Sequence, residues 1–257
     1  MINIYSEKEI AKIREASRIV AKAHQEIGKN LRAGMTTKDI DDITERVFRE
    51  NGANPSCKGY PKGYKNPFPA ASCISVNDEV IHGIPGNRVI KEGDLVCVDL
   101  VADKDGYFGD ATRCYVVGKG SDVAHKLVEV AEKSFYEGIK YAKPGNRISD
   151  ISHAIQEYVE ANGFSVVREY QGHGIGRDMH EDPGVPNYGK SGRGPRLEAG
   201  MVIAVEPMLT LGRRDICILD DDWTIETVDN SPSAHYEHTV AVTDNGYRIL
   251  TGRKLNG

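Results

Sequence analysis

Residues 34–52 and 145–163 match at a fixed offset. Gly34 aligns with Gly145, Asp39 with Asp150, Ile40 with Ile151, and Asn51-Gly52 with Asn162-Gly163. Each glycine follows a helix-like stretch, 7–31 in one case and 122–142 in the other. A second echo comes later in each copy. EGDLVCVDL (92–100) and AGMVIAVEP (199–207) both run from a glycine through an apolar strand to a carboxylate six residues on, Asp99 and Glu206. Two echoes in the same order point to two copies of a helix–helix–strand unit. That constrains the fold to two related halves, with Asp99 and Glu206 pseudo-equivalent and facing each other across the axis between them.

The local signals agree. Ser6 and Glu9 form a capping box ahead of Ile10, Ile13, Val20 and Ile27, so a helix is expected to about Leu31, with Gly34 as its breaker. TKDIDDITERVFRENGA sets Ile40, Ile43 and Val47 on one face and stops at Asn51-Gly52. At 257 residues the chain is one large domain or two fused halves. It has no apolar run long enough to span a bilayer. MINIYSEKEIAKIREA is charged from residue 7 onward, so no secretory signal is expected. The five cysteines form no C-x-x-C pair, which predicts reduced thiols and a cytoplasmic location. A net charge of -5 leaves no global electrostatic footprint for nucleic acid.

GDLVCVDLVADKDGYFGDATRCYVVG (93–118) reads as a β-hairpin with an Asp/Gly-rich turn. A two-residue turn at Asp105-Gly106 pairs Val101 with Asp110 and leaves Asp99 on the diagonal; a four-residue loop pairs Asp99 with Asp110 directly. Either register puts both carboxylates on one face of the sheet. Like charges so close repel, so either one carboxylate stays protonated or a cation lies between them. Asp is also a poor strand former, and its presence beside Val116 and Val117 calls for a reason. Glu206 ends an apolar run just before Pro207, which marks a strand end or bulge. Glu237 lies in AHYEHTVAVTDNGYRIL, an alternating strand that leads into an Asn-Gly turn. QGHGIGRDMHEDPGVPNYG (171–189) adds His173 and His180 in a turn-rich setting. Four carboxylates and a histidine need positive charge to share a dry site. Two carboxylate-bridged divalent ions would supply it, and so many oxygen donors favour Mn, Fe(II), Co or similar over a thiolate zinc site.

Six motifs carry a family resemblance: IHGIP (81–85), VDL (98–100), FGDATR (108–113), GHGIGRDMHEDP (172–183), AVEPML (204–209) and YEHTVAVT (236–243). In this order and spacing they resemble the type I methionine aminopeptidases over nearly the whole chain. The resemblance implies an α+β pita-bread fold, with two pseudo-symmetric α/β halves around a central antiparallel sheet. It implies one catalytic domain over 1–257, with pseudo-repeat halves of about 1–118 and 119–257. It implies a methionyl aminopeptidase, a dinuclear metalloexopeptidase that removes the N-terminal methionine from peptides and nascent proteins with a small second residue. Asp99, Asp110, His173, Glu206 and Glu237 would hold two divalent ions (Co, Mn, Fe(II), Zn or Ni). Asp110 and Glu237 would bridge, Asp99 would bind one ion, and His173 with Glu206 the other. Ions about 3.5–4 Å apart lower the pKa of a shared water, held as the attacking hydroxide. Glu206 would shuttle the proton, His180 would stabilise the oxyanion, and His82 would hold the backbone beyond the scissile bond. The substrate amine would bind on the Asp99 side. In this reading Gly172, Gly174 and Gly176 let the backbone bend tightly enough for His173 to reach the metal.

By the same resemblance, the methionine pocket draws on Cys57, Tyr60, Tyr64, Cys73, Met179 and Trp223, the only tryptophan. The segment between the two cysteines is long and contains KGYPKGYK, a tandem duplication. Tyr60 and Tyr64 therefore compete for one place, and Phe68 is a further candidate. Cys97, Cys114 and Cys217 read as core thiols. His24, His125, His153, His235 and His238 read as structural or solvated. The resemblance is to the short form, with no N-terminal extension and no large insertion in 207–237. It implies a cytoplasmic monomer, with transient ribosome contact through which Lys58, Lys62 and Lys65 could act. Two rivals share the fold: an Xaa-Pro aminopeptidase or prolidase, which usually carries a further N-terminal domain, and a non-catalytic pita-bread binding module, which would have lost ligands. A structural cation site, a third rival, would not need His82 and His180.

Overall fold

In a computed structural model of the protein, described over residues 1–252, the chain opens with α1 (Glu7–Asn30) and α2 (Thr37–Glu50). β1 (Asn54–Pro55), β2 (Cys73–Val76) and β3 (Glu79–Ile81) precede a long hairpin, β4 (Leu95–Lys104) and β5 (Tyr107–Val116). Next come α3 (Asp122–Ile139), α4 (Ile148–Ala161), β6 (Ser165–Val166), β7 (Gly172–Gly174) and β8 (Glu181–Val185). β9 (Val202–Val205), β10 (Met208–Thr210), β11 (Ile216–Ile218) and β12 (Ile225–Thr227) follow. β13 (Ser233–His235), β14 (His238–Thr243) and β15 (Gly246–Ile249) complete the fold.

The two sequence copies adopt the same local structure. α2 starts at a capping box between Thr36 and Asp39, and α4 starts with Asp150 accepting the Arg147 N–H at 2.7 Å. Gly34 and Gly145 take φ values of 90° and 93°, a region that penalises any Cβ. Asn51 and Asn162 end the two helices, each side-chain amide donating to a carbonyl four residues back, on Val47 and Tyr158. Thr36 bridges Val89 and Arg147 bridges Arg196, so each second helix is pinned to the chain before its following strand.

Each half has its own apolar centre, and β4 lends Leu95 and Cys97 to the second. Val20, Ile27, Ile40, Phe48, Val96 and Leu100 pack together under α1 and α2. Leu127, Phe135, Ile151, Ile155, Ile203 and Val240 pack together under α3 and α4. A smaller core of Tyr5, Ile10, Ile13, Ile175 and Val202 joins the first residues of the chain to the second half. Strand pairing is antiparallel throughout the described residues and divides into four sheets, two of which form the floor of the site. β5 has β4 as its partner, and β4 in turn pairs with β1 and β2; the other floor sheet runs β15-β14-β9-β7-β8. A main-chain bond from Glu237 N–H to the Thr112 carbonyl (3.0 Å) joins them across the junction.

The hairpin takes the two-residue turn: Lys104 pairs with Tyr107, Val101 with Asp110 and Asp99 with Thr112. The same register sets Cys97 opposite Cys114, and the structure joins them in a disulfide. This differs from the expectation that both are free core thiols. The cause is their direct cross-strand opposition in the β4–β5 ladder. Cys57, Cys73 and Cys217 are free, the last of them exposed rather than in the core.

Candidate active site

Five acidic and imidazole side chains converge where the two floor sheets meet. β4 presents Asp99 and β5 presents Asp110 from diagonal positions on one face. Glu206 and Glu237 occupy breaks between strands. Pro207 interrupts the run from β9 into β10, and the chain bends between β13 and β14 at residues 236–237. Each glutamate thus turns out of a ladder toward the hairpin. Glu237 is fastened there by the Thr112 hydroxyl, which donates to Oε2 at 2.9 Å. Asp110 is fastened by Thr239, whose hydroxyl accepts the Asp110 N–H at 3.0 Å and donates to the Asp110 carbonyl at 2.9 Å.

His173 sits in β7 between β8 and β9, opposite Ala204, where the β7–β8 register shifts. Its glycine neighbours make room rather than bend the chain. Gly172, Gly174 and Gly176 keep φ outside the left-handed region. A Cβ on Gly172 would overlap the Ala204 carbonyl, and one on Gly174 the Asp182 carbonyl. The expectation of tight bends is corrected accordingly: β7 needs glycine because two strands press against it. His173 Nδ1 donates to the Gly174 carbonyl at 2.9 Å, which leaves Nε2 free to act as a ligand. That nitrogen is 3.8 Å from Asp110 Oδ2 and 3.5 Å from Glu206 Oε1.

Burial strongly perturbs these groups. Asp99 is pushed up to about 6 by loss of water, a rise that hydrogen bonds from Thr112 and Asp110 partly offset. Asp110 is raised by burial first, then by the charges of Glu237, Asp99 and Glu206. Glu206 is raised by burial and by Glu237, and Glu237 by burial and by Asp99. His173 is lowered to about 3 by burial, with a further contribution from His180, so its imidazole is neutral. Each raised carboxylate is one that gives up its proton reluctantly while the site lacks an offsetting positive charge.

The residues fit a divalent cation. Asp110, His173 and Glu237 each place a ligand atom within 4.8 Å of the others. Asp99 Oδ1, Asp110 Oδ1 and Glu237 Oε1 are sealed from solvent with no hydrogen-bond partner, a state that buried carboxylate oxygens reach only at a cost. Neutral imidazole and carboxylate donors suit a divalent ion of borderline to hard character.

A cavity of about 320 Å³ opens over this cluster. Cys57, Phe68, Cys73, Val101 and Met179 form its buried apolar wall, with Tyr60 and Trp223 packed against them. Trp223 stands edge-on to Phe68 (centroids 5.3 Å apart) and donates from Nε1 to the Asn66 carbonyl at 2.9 Å. Tyr60 lines the cavity, but Tyr64 does not. Tyr64 is 57 % exposed, its ring edge-on to Trp223 at 6.4 Å. The tandem duplication thus supplies one tyrosine to the wall and one to the surface.

The two remaining histidines flank the mouth. His82 follows β3 in a left-handed conformation (φ 58°) and is held edge-on by Tyr170 (5.7 Å) and Trp223 (6.1 Å). Gly83 permits that turn, because a Cβ there would strike the Ile74 carbonyl. Burial lowers His82 to about 4. His180 stacks edge-on over His173 at 4.4 Å and is likewise lowered by burial. Sequence reasoning missed Tyr170 and Gln171 on the cavity wall. Of the two readings offered for His235, structural or solvated, burial excludes the second: it is 2 % exposed and lies 3.6 Å from Glu206.

Comparison with known proteins agrees with this geometry. Residues 11–244 match the family model described as Metallopeptidase family M24. The chain is 51 % identical over 251 residues to Methionine aminopeptidase 1 of Bacillus subtilis (strain 168), covering 98 % of this chain and 99 % of that protein. The crystal structure of methionine aminopeptidase from Rickettsia prowazekii superposes with a TM-score of 0.95 at 38 % identity, covering 98 % of this chain and 100 % of that one. The methionine aminopeptidase from Thermotoga maritima gives 0.94 at 43 % identity, covering 98 % and 99 %. The architecture shared with these structures is the pita-bread fold. On the match across 11–244, the carboxylate–histidine cluster and the full-length relatives, the chain belongs to metallopeptidase family M24.

Proposed function

We infer that the protein is a metal-dependent aminopeptidase that removes the N-terminal methionine from peptides and nascent chains. One observation carries this reading: an apolar, sulfur-lined cavity opens directly onto the carboxylate–imidazole cluster. A methionine side chain is flexible, apolar and polarisable, and it packs well against the Met179 thioether and the rings of Phe68, Tyr60 and Trp223.

Asp99, Asp110, His173, Glu206 and Glu237 would hold two divalent ions, with Asp110 and Glu237 shared between them. Bound there, the ions supply Lewis-acid polarisation of the scissile carbonyl and lower the pKa of a water. Glu206, raised by burial, is suited to take a proton on a carboxylate oxygen and pass it to the departing amine. His180 donates from Nε2 to the developing oxyanion, and neutral His82 orients the peptide beyond the scissile bond. Cys57, Tyr60, Phe68, Cys73, Met179 and Trp223 exclude water around the methionine side chain. The same reading takes a small second residue in the substrate. It also takes a cytoplasmic location, a monomeric state and transient ribosome contact, with exposed Lys62 and Lys65 as candidates for that contact and Lys58 already paired to Glu45 at 3.3 Å. No described helix is long and apolar enough to cross a membrane.

The test is a peptidase assay on metal-stripped protein with Met-Ala-Ser and Ala-Pro-Ser, with and without Co(II), Mn(II) or Fe(II). Methionine release from the first peptide alone, only with metal, is expected. Cleavage of Ala-Pro-Ser instead would move the protein to the proline-specific branch. Metal binding with neither peptide cut would point to a binding module.

A further inference from the structure

The Glu206 carboxylate lies between two imidazoles. Its Oε1 is 3.5 Å from His173 Nε2, and its Oε2 is 3.6 Å from His235 Nε2. His235 is 2 % exposed, and its Nε2 is sealed from solvent without a hydrogen-bond partner. The main chain fixes where that nitrogen points. His235 pairs with Met208 in the β10–β13 ladder, two residues beyond Glu206, and its N–H meets Cys114 Sγ at 3.2 Å. The Glu206 main chain is fixed as well, its carbonyl accepting from Asn187 Nδ2 at 2.9 Å. Two anchored backbones thus hold a buried donor and a buried acceptor just outside bonding distance. An unsatisfied buried nitrogen is costly, and Glu206 Oε2 is the acceptor the structure places before it.

We propose that His235 is a positioning residue for Glu206, its Nε2–H donating to Oε2 and so turning Oε1 toward the His173 side of the metal site. This rests on the reading of Glu206 as a metal ligand. It gives His235 a task outside the ligand set, because a carboxylate held at one oxygen presents the other in a single orientation. Outer-shell partners of this kind typically change metal affinity by about 10–100-fold when removed.

The test compares His235→Gln, whose amide keeps a donor near the same place, with His235→Leu and His235→Met, which keep bulk and lose the donor. Co(II) affinity of the metal-stripped proteins is measured by calorimetry, together with the visible absorption of bound Co(II), kcat and KM, and folding by circular dichroism. Affinity about 10–100-fold weaker in the Leu or Met variant, with an altered Co(II) spectrum and restoration to within about threefold in the Gln variant, is expected. His235→Met provides the comparison if His235→Leu fails to fold. Wild-type affinity and spectrum in a folded variant without the donor would overturn the proposal, as would equal loss in the Gln and Met variants. Wild-type protein that binds Co(II) without releasing methionine would remove the proposed activity and leave the His235 result standing. Wild-type protein that binds no Co(II) would remove both.

Discussion

The Tyr60 hydroxyl stands 2.8 Å from His180 Nδ1, with the two rings edge-on at 5.3 Å. Burial raises the Tyr60 hydroxyl pKa, so it stays protonated and able to donate. An imidazole that accepts at Nδ1 carries its proton on Nε2, the tautomer required for oxyanion donation. Tyr60→Phe should therefore lower kcat about tenfold, the worth of one hydrogen bond of about 1.4 kcal/mol, and leave Co(II) affinity unchanged. Tyr64→Phe should stay within about twofold of wild type. Steady-state kinetics on both variants decides the matter; equal effects would mean that Tyr60 holds no special place.

Asp110 faces Glu237, Asp99 and Glu206 and has a buried, unpartnered Oδ1. Asp110→Asn keeps the shape and removes the charge. Calorimetry should show at least one Co(II) lost, and methionine release should fall more than 100-fold, beyond the loss typical of an outer-shell partner. Retention of both ions with near-normal turnover would show that Asp110 is not a ligand.

Asp99 gives a prediction for the metal-free protein. Its folded pKa of about 6 lies above the ordinary 3.8. The unfolded chain thus releases this proton first, and stability present below about pH 4 is lost as pH rises to about 6. At 1.4 kcal/mol per unit, the displacement corresponds to about 3 kcal/mol. His82 and His173, both lowered, act in the opposite sense: they cost stability as pH falls below about 6.5. Asp99→Asn removes this carboxylate and relieves Asp110, Glu206 and Glu237 of its charge. Under chelator, the variant should melt above wild type at pH 7.5, and the gap should narrow by pH 4. A gap independent of pH would refute the charge argument.

Gly172 offers a steric test. A Cβ there meets the Ala204 carbonyl, whereas one on Gly86 meets nothing within 4 Å. Gly172→Ala should destabilise by about 1–3 kcal/mol, the range for overpacking, and should weaken metal binding by moving His173. Gly86→Ala should match wild type. Chemical denaturation of both variants checks this, and a neutral Gly172→Ala would mean that β7 and β9 can separate freely.

The duplicated halves, the Ser6–Glu9 capping box and the face shared by Asp99 and Asp110 were legible because each depends on local spacing. The register that pairs Val101 with Asp110 also sets Cys97 against Cys114, so their opposition was implicit in the two-residue turn. His235 was hidden for a different reason. Its relation to Glu206 depends on β10 pairing with β13, where Met208 meets His235 27 positions further along the chain, and no periodicity encodes that pairing. The choice between Tyr60 and Tyr64 was equally closed to sequence reasoning, since each ends a Lys-Gly-Tyr triplet and they diverge only when one packs with the Met179 cluster and the other is exposed.

Asp99 and Asp110 come from a hairpin that is complete by residue 116, whereas His173, Glu206 and Glu237 all lie beyond residue 170. Neither stretch alone carries the whole donor set. An ion gripped by Asp110 and His173 would act as a clasp between the two halves and resist their parting. Because one chain carries both, the closing partner is always present at high effective concentration. Chelation should then loosen the seam between the halves before it melts either core, and hydrogen exchange would register that loosening first at the Glu237–Thr112 main-chain bond.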